Sequence, residues 1–397
     1  MEKIYLDNAA TTPVGAEVLN AMIPAFSEVF GNTSSVHSFG RMASDLVDQS
    51  RDTIAESINA KSSEIYFTGS GSEANTWAII GLATANRLHG NHIITTKIEH
   101  QSTLNACKYL EQNGYEVTYL NVDKNGYIRF TELLNSIKSN TILVSIMAAN
   151  NEIGTIQNLK AIAQTTHEKG AIFHTDAVQL YGNMDIDVEN IGIDAMTMSA
   201  HKIYGPKGVG CLYLSNKYRI DNLIYGGNQE RGKRGGTTNT AGIVGFAKAV
   251  EIARQNMRAN NHKLKLLSEY FITQLTSTIE NININANIRQ KLPQIVSVTF
   301  VGVDGESLLT KLDMAGIAVS TGSACTSNSL SVSHVMTAIG LDNDDARSTI
   351  RFSFGKNNSY EEIDYTISTL KRCVEELRAY SSTYGMKTRK RKGDRNV

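Results

Sequence analysis

An alternation of short apolar runs with helix-like segments constrains the fold of this 397-residue chain more than any other feature. The runs lack a strict polar–apolar alternation, which is typical of strands buried on both faces. They are Glu64–Thr68, His92–Thr96, Glu116–Leu120, Thr141–Met147, Ala171–Thr175, Ala195–Ser199 and Gly210–Leu214. Helical patterns between them cover Glu73–Leu88, Ser102–Asn113, Phe130–Ile137 and Leu159–Lys169. Such βα units predict an α/β fold with a mostly parallel sheet wrapped by helices.

The last third of the chain predicts a second, smaller αβ unit. A long helical pattern runs from Thr240 to Ser277, and the segments Ile295–Phe300, Gly305–Ala315 and Ile350–Phe354 follow as strand, helix and strand. We therefore expect a large domain of residues 15–259 and a small domain of residues 1–14 and 260–386. Residues 387–397 are polar and basic, and we expect them to form a disordered tail.

Charge and cysteine content exclude several classes of protein. The chain carries 39 basic and 39 acidic residues, so it lacks the basic footprint of a nucleic-acid-binding protein. Its four cysteines fit no metal-binding spacing and predict neither a disulfide framework nor a resident metal. The start has no apolar stretch typical of a signal peptide, and the apolar run 78–85 is too short to span a bilayer. We therefore expect a soluble cytoplasmic protein.

A lysine and an aspartate follow two of the predicted strands. Lys202 comes directly after Ala195–Ser199, where open α/β sheets bind ligands, and a partly desolvated lysine can form a Schiff base. Taken alone, it is better interpreted as a surface lysine in a Gly-rich loop. Asp176 follows Ala171–Thr175 and could pair with the protonated nitrogen of a pyridoxal ring or cap a helix.

A Gly-rich turn and a histidine follow two further strands. In the segment 68–75, Gly71 and Ser72 open a helix, which predicts an anion site, although the same pattern is also typical of simple helix capping. His100 follows His92–Thr96 and could stack on a flat ring and exchange protons near neutral pH. His201 and His37 are candidates with less support.

Two more candidates lie in the small domain. Cys325 is at the centre of the Gly- and Ser-rich segment 320–330, where a thiol is a candidate nucleophile. The other cysteines, in helical or strand-like runs, are expected to be buried and inert. Arg351 lies in a strand-like run, and we expect it at a sheet edge, where its guanidinium could bind a carboxylate.

These residues, taken together, resemble the NifS/IscS-type cysteine desulfurases, which are fold-type I, class V aminotransferase-like enzymes dependent on pyridoxal 5′-phosphate. The resemblance covers almost the whole chain, because the family's motifs occur in the family's order. They are Tyr5–Pro13, Met147–Gly154, His174–Gln179, Ser199–Gly210, Gly227–Thr237 and Ser320–Leu330. The resemblance implies a large domain with a mostly parallel seven-stranded sheet and a smaller αβ domain that carries the cysteine loop.

The resemblance also implies a role for each matching residue. Lys202 would hold the cofactor covalently, Asp176 would pair with its pyridine nitrogen, and His100 would cover the ring and transfer protons. Gln179 and Asn151 would contact the ring oxygen, and Arg351 with Asn151 would bind the substrate carboxylate. The phosphate would be bound by Gly71, Ser72, Ser199 and His201, and across a homodimer interface by Thr237 of the neighbouring subunit.

The implied reaction converts L-cysteine to L-alanine and leaves a persulfide on Cys325. The sulfur would pass to an acceptor protein, either an iron–sulfur scaffold or a tRNA-thiolation protein. The resemblance implies no resident metal. The only metal contact it allows is at Cys325, which could be a transient ligand of an iron–sulfur cluster. We expect no membrane association and no stable binding of nucleic acid.

The sequence departs from the family's pattern at several places. Thr33 replaces a usual proline, Ser72 replaces a common threonine, and Asn228 interrupts a usual run of glycines. The basic end of the chain does not resemble the tail by which some members bind a scaffold protein, so the acceptor stays open.

Three alternatives are weighed. A selenocysteine lyase is the hardest to separate from a desulfurase, because the sequence does not rank sulfur against selenium. Another fold-type I enzyme, such as an aminotransferase, would have no use for Cys325. A partner-docking protein with little turnover of its own is disfavoured by the intact set of Lys202, Asp176, His100 and Cys325.

Overall fold

The computed structural model describes residues 3–286, 290–321, 332–381 and 384. The strands in this part of the chain are β1 Ile4–Tyr5, β2 Ile65–Thr68, β3 His92–Thr96, β4 Glu116–Leu120, β5 Thr141–Ser145, β6 Ile172–Asp176, β7 Ala195–Ser199, β8 Gly210–Leu214, β9 Ile282–Asn285, β10 Ile295–Phe300, β11 Ile317–Ala318, β12 Ser320–Thr321 and β13 Thr349–Ser353.

The described helices number thirteen in chain order. They are α1 Ala16–Met22, α2 Pro24–Ser27, α3 Ser38–Glu56, α4 Gly71–Ala85, α5 Gln101–Gln112, α6 Phe130–Ser136, α7 Leu159–His167, α8 Val188–Ile191, α9 Thr240–Thr278, α10 Gly305–Met314, α11 His334–Ala338, α12 Asn343–Arg347 and α13 Tyr360–Ala379. Short 3₁₀ turns cover Ser62–Glu64, Ala200–Lys202 and Gln229–Gly232.

A seven-stranded sheet forms the centre of the molecule, in the order β2-β8-β7-β6-β5-β3-β4. Only β8 runs against its neighbours β2 and β7, and the remaining pairs are parallel. The predicted mostly parallel α/β sheet is therefore confirmed. Parallel strands end at one edge of a sheet, so the segments after β3, β5, β6 and β7 meet there.

A second sheet has the order β12-β13-β10-β9, and β1 pairs with β11 beside it. Its core contains Leu6 from the chain's start together with Phe271, Phe300, Phe352 and Leu370. The expectation that Arg351 lies at a sheet edge is wrong, because β13 lies between β12 and β10. Arg351 faces Ser320 on one side and Ser297 on the other.

Helix α9 links the two halves of the structure. Residues in its first part, such as Phe246 and Val250, belong to the core of the large sheet, whereas Leu267 and Phe271 belong to the second core. The division at residues 14/15 and 259/260 stays a prediction. Within the described residues, no helix is long and apolar enough to cross a membrane.

Candidate active site

A cavity of about 700 Å³ opens at the carboxyl edge of the parallel strands. Ten residues selected from the sequence line it: Gly71, Ser72, His100, Asn151, Asp176, Gln179, Ser199, His201, Lys202 and Arg351. Thr237 lies outside this lining. Cys325 lies outside the described residues. Thr321 and Val332, which flank the segment 322–331, both line the cavity.

One end of the cavity is a cradle for an anion. Ser70, rather than Ser72, caps α4, because its Oγ accepts a hydrogen bond from the N–H of Glu73. The N–H groups of Gly71 and Ser72 thus belong to the first helical turn and have no acceptor within the helix. A Cβ at Gly71 would lie 3.0 Å from Val178 Cγ2 and 3.4 Å from the Cβ of Ser199. The absence of a side chain here keeps the cradle open.

His201 completes this end of the cavity as a neutral donor. Burial, and then the charges of Lys202 and Lys207, lower its pKa to about 4. Its Nδ1 lies 3.1 Å from Thr11 Oγ1. A neutral imidazole can donate a hydrogen bond to an anion without an ion pair. His37, by contrast, is an N-cap of α3, with Nδ1 accepting from the N–H of Gly40.

Asp176 places a buried carboxylate on the wall of the cavity. It is 6% exposed, and it accepts hydrogen bonds from the N–H of Val178 at 2.9 Å and from Asn75 Nδ2 at 2.6 Å. No helix begins here, so the helix-cap alternative is wrong. Both of these donors are neutral, and no ion pair of Asp176 occurs among the described residues. A carboxylate held in this way can accept one more hydrogen bond from a cationic N–H group.

His100 is connected to Asp176 through two polar side chains. Asn75 Nδ2 also donates to Ser102 Oγ at 3.0 Å, and Ser102 Oγ lies 2.8 Å from His100 Nδ1. The Ser102 N–H donates to the same nitrogen at 3.2 Å. Since Nδ1 accepts from Ser102, the proton of the neutral ring lies on Nε2. Burial is the main cause that lowers the pKa of His100, so the ring is neutral near pH 7.

Lys202 Nζ reaches the cavity from the 3₁₀ turn after β7. It donates to the carbonyl oxygens of Ala9 at 2.6 Å and Ala10 at 2.7 Å. Gln179 Nε2 donates to the same Ala9 carbonyl at 2.9 Å. The opening motif of the chain is therefore part of the site, because its backbone orients both side chains.

Arg351 is almost fully buried at the far side of the cavity. Its Nη1 donates to the carbonyl oxygen of Asn151 at 3.0 Å, and its Nη2 donates to Asp7 Oδ1 at 2.7 Å. The buried Nε has no hydrogen-bond partner among the described residues. The guanidinium is thus held by Asp7 and Asn151 with donor capacity left over, which suits the binding of a further carboxylate.

Two buried acids line the cavity near His100. Burial raises the pKa of Glu99 to about 8 and that of Glu152 to about 7. Glu152 accepts from Ser333 Oγ at 2.6 Å, and His334 Nε2 lies 2.9 Å from the Glu99 carbonyl oxygen. These contacts attach the start of α11, directly after the segment that contains Cys325, to the end of β3 and to the turn after β5.

The residues present fit a bound pyridoxal phosphate. The cradle at Gly71 suits its phosphate, the buried carboxylate of Asp176 suits a protonated ring nitrogen, and Lys202 supplies an amine in the same cavity. In the described part of the chain, no group of three or more His, Cys, Asp or Glu is placed to hold a metal ion. The described cysteines Cys107, Cys211 and Cys373 are buried, as expected from the sequence.

Sequence reasoning missed four residues of the site: Asp7, Asn75, Glu99 and Ser102. Asp7 lies in the opening motif, and Asn75 lies in the Gly-rich segment, but neither strand patterns nor spacing indicate what they contact. Glu99 directly precedes the candidate His100, and this position is the signal that could have marked Glu99 as a residue of the site. Ser102 carries no signal, since a serine near a helix start is typical of capping.

Comparisons with known proteins agree with this arrangement. The model of the aminotransferase class-V family matches residues 4–366. "Cysteine desulfurase IscS" of Clostridium botulinum (strain Hall) is 48% identical over 382 residues, which cover 96% of each chain. "Putative cysteine desulfurase IscS 1" of Bacillus subtilis (strain 168) is 45% identical, over 91% of this chain and 96% of the relative.

Solved structures show the same fold. A "NifS-like protein" superimposes with a TM-score of 0.89 at 36% identity, over 94% of this chain and all of the other. A structure described as "SspA in complex with cysteine" has a TM-score of 0.80 at 37% identity, over 90% of this chain and all of the other.

Proposed function

The chain belongs to the aminotransferase class-V family, and we propose that within it the chain is a cysteine desulfurase dependent on pyridoxal phosphate. The reaction converts L-cysteine to L-alanine and transfers the sulfur to Cys325. The observation that carries this proposal is the convergence of Lys202, Asp176, His100 and Arg351 on one cavity, with both flanks of the Cys325 segment on its wall.

Pyridoxal phosphate, when bound, supplies an electron sink that weakens the Cα–H bond and then the Cβ–S bond of the amino acid. The cradle formed by Gly71, Ser72, Ser199 and His201 would bind its phosphate. Asp176 would accept the ring N–H and keep that nitrogen protonated. Gln179 and Asn151 line the cavity and would contact the ring oxygen, and Lys202 would attach to the group covalently.

His100 and Lys202 transfer protons to and from the substrate. Near neutral pH, His100 has Nε2–H as a donor, and its Nδ1 is held by Ser102. The imidazole plane is therefore fixed. The Lys202 amine, when it is not bonded to the cofactor, could accept the α-proton and return one, since the Ala9 and Ala10 carbonyls hold it at the cavity.

Arg351 orients the substrate through its carboxylate. The guanidinium is already fixed by Asp7 and Asn151, so little side-chain entropy is lost on binding. The guanidinium itself is largely screened from water, because Arg351 is 5% exposed. A carboxylate bound here fixes one end of the amino acid and thereby orients its side chain.

Cys325 accepts the sulfur. Its thiolate attacks the substrate sulfur, and an S–S bond forms as the Cβ–S bond breaks. The electrons of the broken bond stay on carbon, which takes up a proton to become the methyl group of alanine. The persulfide then passes sulfur to an acceptor protein, an iron–sulfur scaffold or a tRNA-thiolation protein.

We also propose a homodimer in which Thr237 reaches the phosphate of the partner subunit. The position of Thr237 outside its own cavity supports this arrangement. A nearby face on α1 to α3 is unusually apolar for a solvent-facing surface. Its exposed residues are Leu19, Ile23, Phe26, Phe30, Val36, Phe39 and Met42, with Phe26 65% and Val36 90% exposed.

Purified protein incubated with L-cysteine and a thiol reductant tests the function. We expect equal amounts of sulfide and alanine, and a yellow protein as isolated. Lys202→Ala should lose the visible absorbance of the covalently attached cofactor, because no amine remains to attach it. Cys325→Ser should keep that absorbance and form no persulfide, as followed by mass spectrometry.

Cys107→Ser is the matched control, since Cys107 is buried and burial raises its pKa to about 12. It should form the persulfide normally. Normal sulfide release by Cys325→Ser would refute the role of Cys325, and alanine production without cofactor absorbance would refute the cofactor.

A further inference from the structure

An ion pair joins the phosphate cradle to the loop that carries Thr237. Arg234 Nε lies 2.8 Å from Glu73 Oε1, and Arg234 Nη2 lies 3.1 Å from Glu73 Oε2, which is a bidentate geometry. Both side chains are about four-fifths buried, at 22% and 18% exposed. Pairs of this geometry at partly buried positions are stronger than ordinary surface ion pairs.

Glu73 lies in the same helical turn as Gly71 and Ser72 of the cradle. It occupies the first turn of α4, two residues after Gly71, and its N–H is held by the Ser70 cap. Its Oε2 also accepts from the N–H of Gly69 at 2.8 Å. A displacement of Glu73 therefore displaces the turn whose N–H groups face the phosphate.

Arg234 belongs to the loop between β8 and α9, three residues before Thr237. At one side of Arg234, Glu230 forms a bidentate pair with the buried Arg51, at 2.7 and 2.9 Å. Glu230 and Arg231 have positive φ angles of 45° and 57°, and non-glycine residues keep such angles only where surrounding contacts hold them. At the other side, Thr238 Oγ1 lies 3.0 Å from Thr33 Oγ1.

The loop is also closely packed against itself. A Cβ at Gly235 would lie 2.6 Å from the Cα of Gly226, so the backbones touch directly beside Arg234. Because the loop is held at Glu230, Gly235 and Thr238, a shift of Arg234 also shifts Thr237.

From these contacts we propose that the Arg234–Glu73 pair couples cofactor binding in the two active sites of the dimer. A phosphate in one subunit holds α4 and Glu73, Glu73 holds Arg234, and Arg234 holds the loop that presents Thr237 to the partner. Binding at the first site thereby positions Thr237 and raises the fraction of second sites that are competent to bind. The coupling is positive, and it rests on the proposed homodimer and cofactor.

Native mass spectrometry of apoenzyme titrated with pyridoxal phosphate tests this coupling without measuring activity. At half-saturation, independent sites give about half of the dimers with one cofactor. A tenfold coupling, within the usual range, lowers that share to about a quarter. We expect the smaller share for the wild type and about half for Arg234→Gln and for Glu73→Gln, which break the pair from opposite ends.

Lys233→Gln is the matched control. It removes a positive charge one residue away, where Nζ makes a long contact of 3.4 Å with the Ile220 carbonyl oxygen. Lys233→Gln should give the wild-type share of dimers with one cofactor. Arg234→Lys should keep part of the coupling, since the positive charge remains. A statistical distribution for the wild type, or a wild-type distribution for both glutamine variants, would overturn the proposal.

The same spectra separate this failure from failure of the proposed function. Monomers at working concentration would refute the homodimer, and absence of a cofactor mass would refute the cofactor. If wild-type dimers bind two cofactors with the distribution expected for independent sites, only the coupling is refuted. A statistical wild-type distribution refutes the coupling whether or not the variants fold. A cooperative one is assigned to the ion pair by either glutamine variant, since the two break it from opposite ends.

Discussion

At the scale of single residues, the sequence identified the charged and titratable groups but not their partners. Lys202, Asp176, His100 and Arg351 were selected because each follows or lies in a strand. What connects Asp176 and His100 is a chain of neutral side chains. Asn75 joins Asp176 to Ser102, and Ser102 fixes the tautomer of His100. Asn75 is 101 residues from Asp176 in the chain, so only folding brings them together.

Glu99 illustrates how burial alone changes a residue's chemistry. It is fully buried, its Oε1 accepts from Thr96 Oγ1 and the Met147 N–H, and its Oε2 has no partner among the described residues. Burial raises its pKa from 4.5 to about 8. In the folded protein it therefore keeps its proton at pH values where the unfolded chain has lost it.

We predict that Glu99→Gln becomes progressively more stable relative to the wild type as pH rises from about 4.5 to 8. In that window the folded wild type binds one proton more than the unfolded chain, so its free energy of unfolding falls by about 1.4 kcal/mol per pH unit. The amide of the variant does not titrate, so it adds no such slope. Urea unfolding of the holoenzyme at about pH 5, 6.5 and 8 measures the difference.

The exposed Glu56→Gln change is the control for loss of a carboxylate, and it should show no such trend. A stability difference between Glu99→Gln and the wild type that is the same at all three pH values would contradict a raised pKa for Glu99.

At the scale of elements, the site depends on where strands end and helices begin. β3, β5, β6 and β7 are parallel neighbours, so the residues after them share one edge of the sheet. The first turn of α4 adds its free N–H groups to the same edge. The alternating pattern of the sequence predicts this convergence, because parallel strands require crossover helices.

We predict that Gly71→Ala weakens cofactor binding without unfolding the protein. The added Cβ would lie 3.0 Å from Val178 Cγ2, inside the cradle, and such crowding costs about 1–3 kcal/mol. The apparent affinity for pyridoxal phosphate should fall about tenfold or more, measured by the rise of visible absorbance on reconstitution of the apoenzyme.

Gly15→Ala is the control for the same substitution at the start of another helix. Gly15 has φ −65°, and a Cβ there would have its nearest contact at 3.6 Å, which is ordinary packing. Unchanged cofactor affinity in Gly71→Ala would contradict the cradle at α4.

At the scale of the whole molecule, α9 and the returning start of the chain join the core of the second sheet to one of the two cores of the large sheet. Leu6 packs in the core of the second sheet, while Ala9 and Ala10, three and four residues later, hold Lys202 at the large sheet.

The balanced net charge of the chain is the sum of two unequal parts. Residues 387–395 hold six of the basic residues and one acidic residue, so the rest of the chain has a formal charge of −5.

We predict that deletion of residues 387–397 leaves cofactor binding and desulfurase turnover unchanged. Among the described residues, Arg351 is the last one that lines the cavity, and these terminal residues lie outside that part of the chain. Visible absorbance and sulfide release with a thiol reductant measure both properties. A full-length chain with the six basic residues replaced by glutamine controls for charge, and loss of cofactor on deletion would contradict the prediction.

The sequence by itself determined the order of the strands along the chain, the α/β class and the residues that carry charge or a nucleophile. These follow from local patterns, since period, turn residues and chemistry-bearing side chains are all visible within short segments. The resemblance to a known family added roles to those residues.

Only the tertiary structure decided which groups meet and in which state of protonation. It placed Arg351 in the middle of a sheet rather than at its edge, ended the helix-cap interpretation of Asp176, and paired Arg234 with Glu73 across 161 residues. The physical reason is that burial and long-range hydrogen bonds set pKa values and orientations. Local patterns indicate which strands are buried, but the desolvation of one polar group and the identity of its distant partner depend on which segments pack against it.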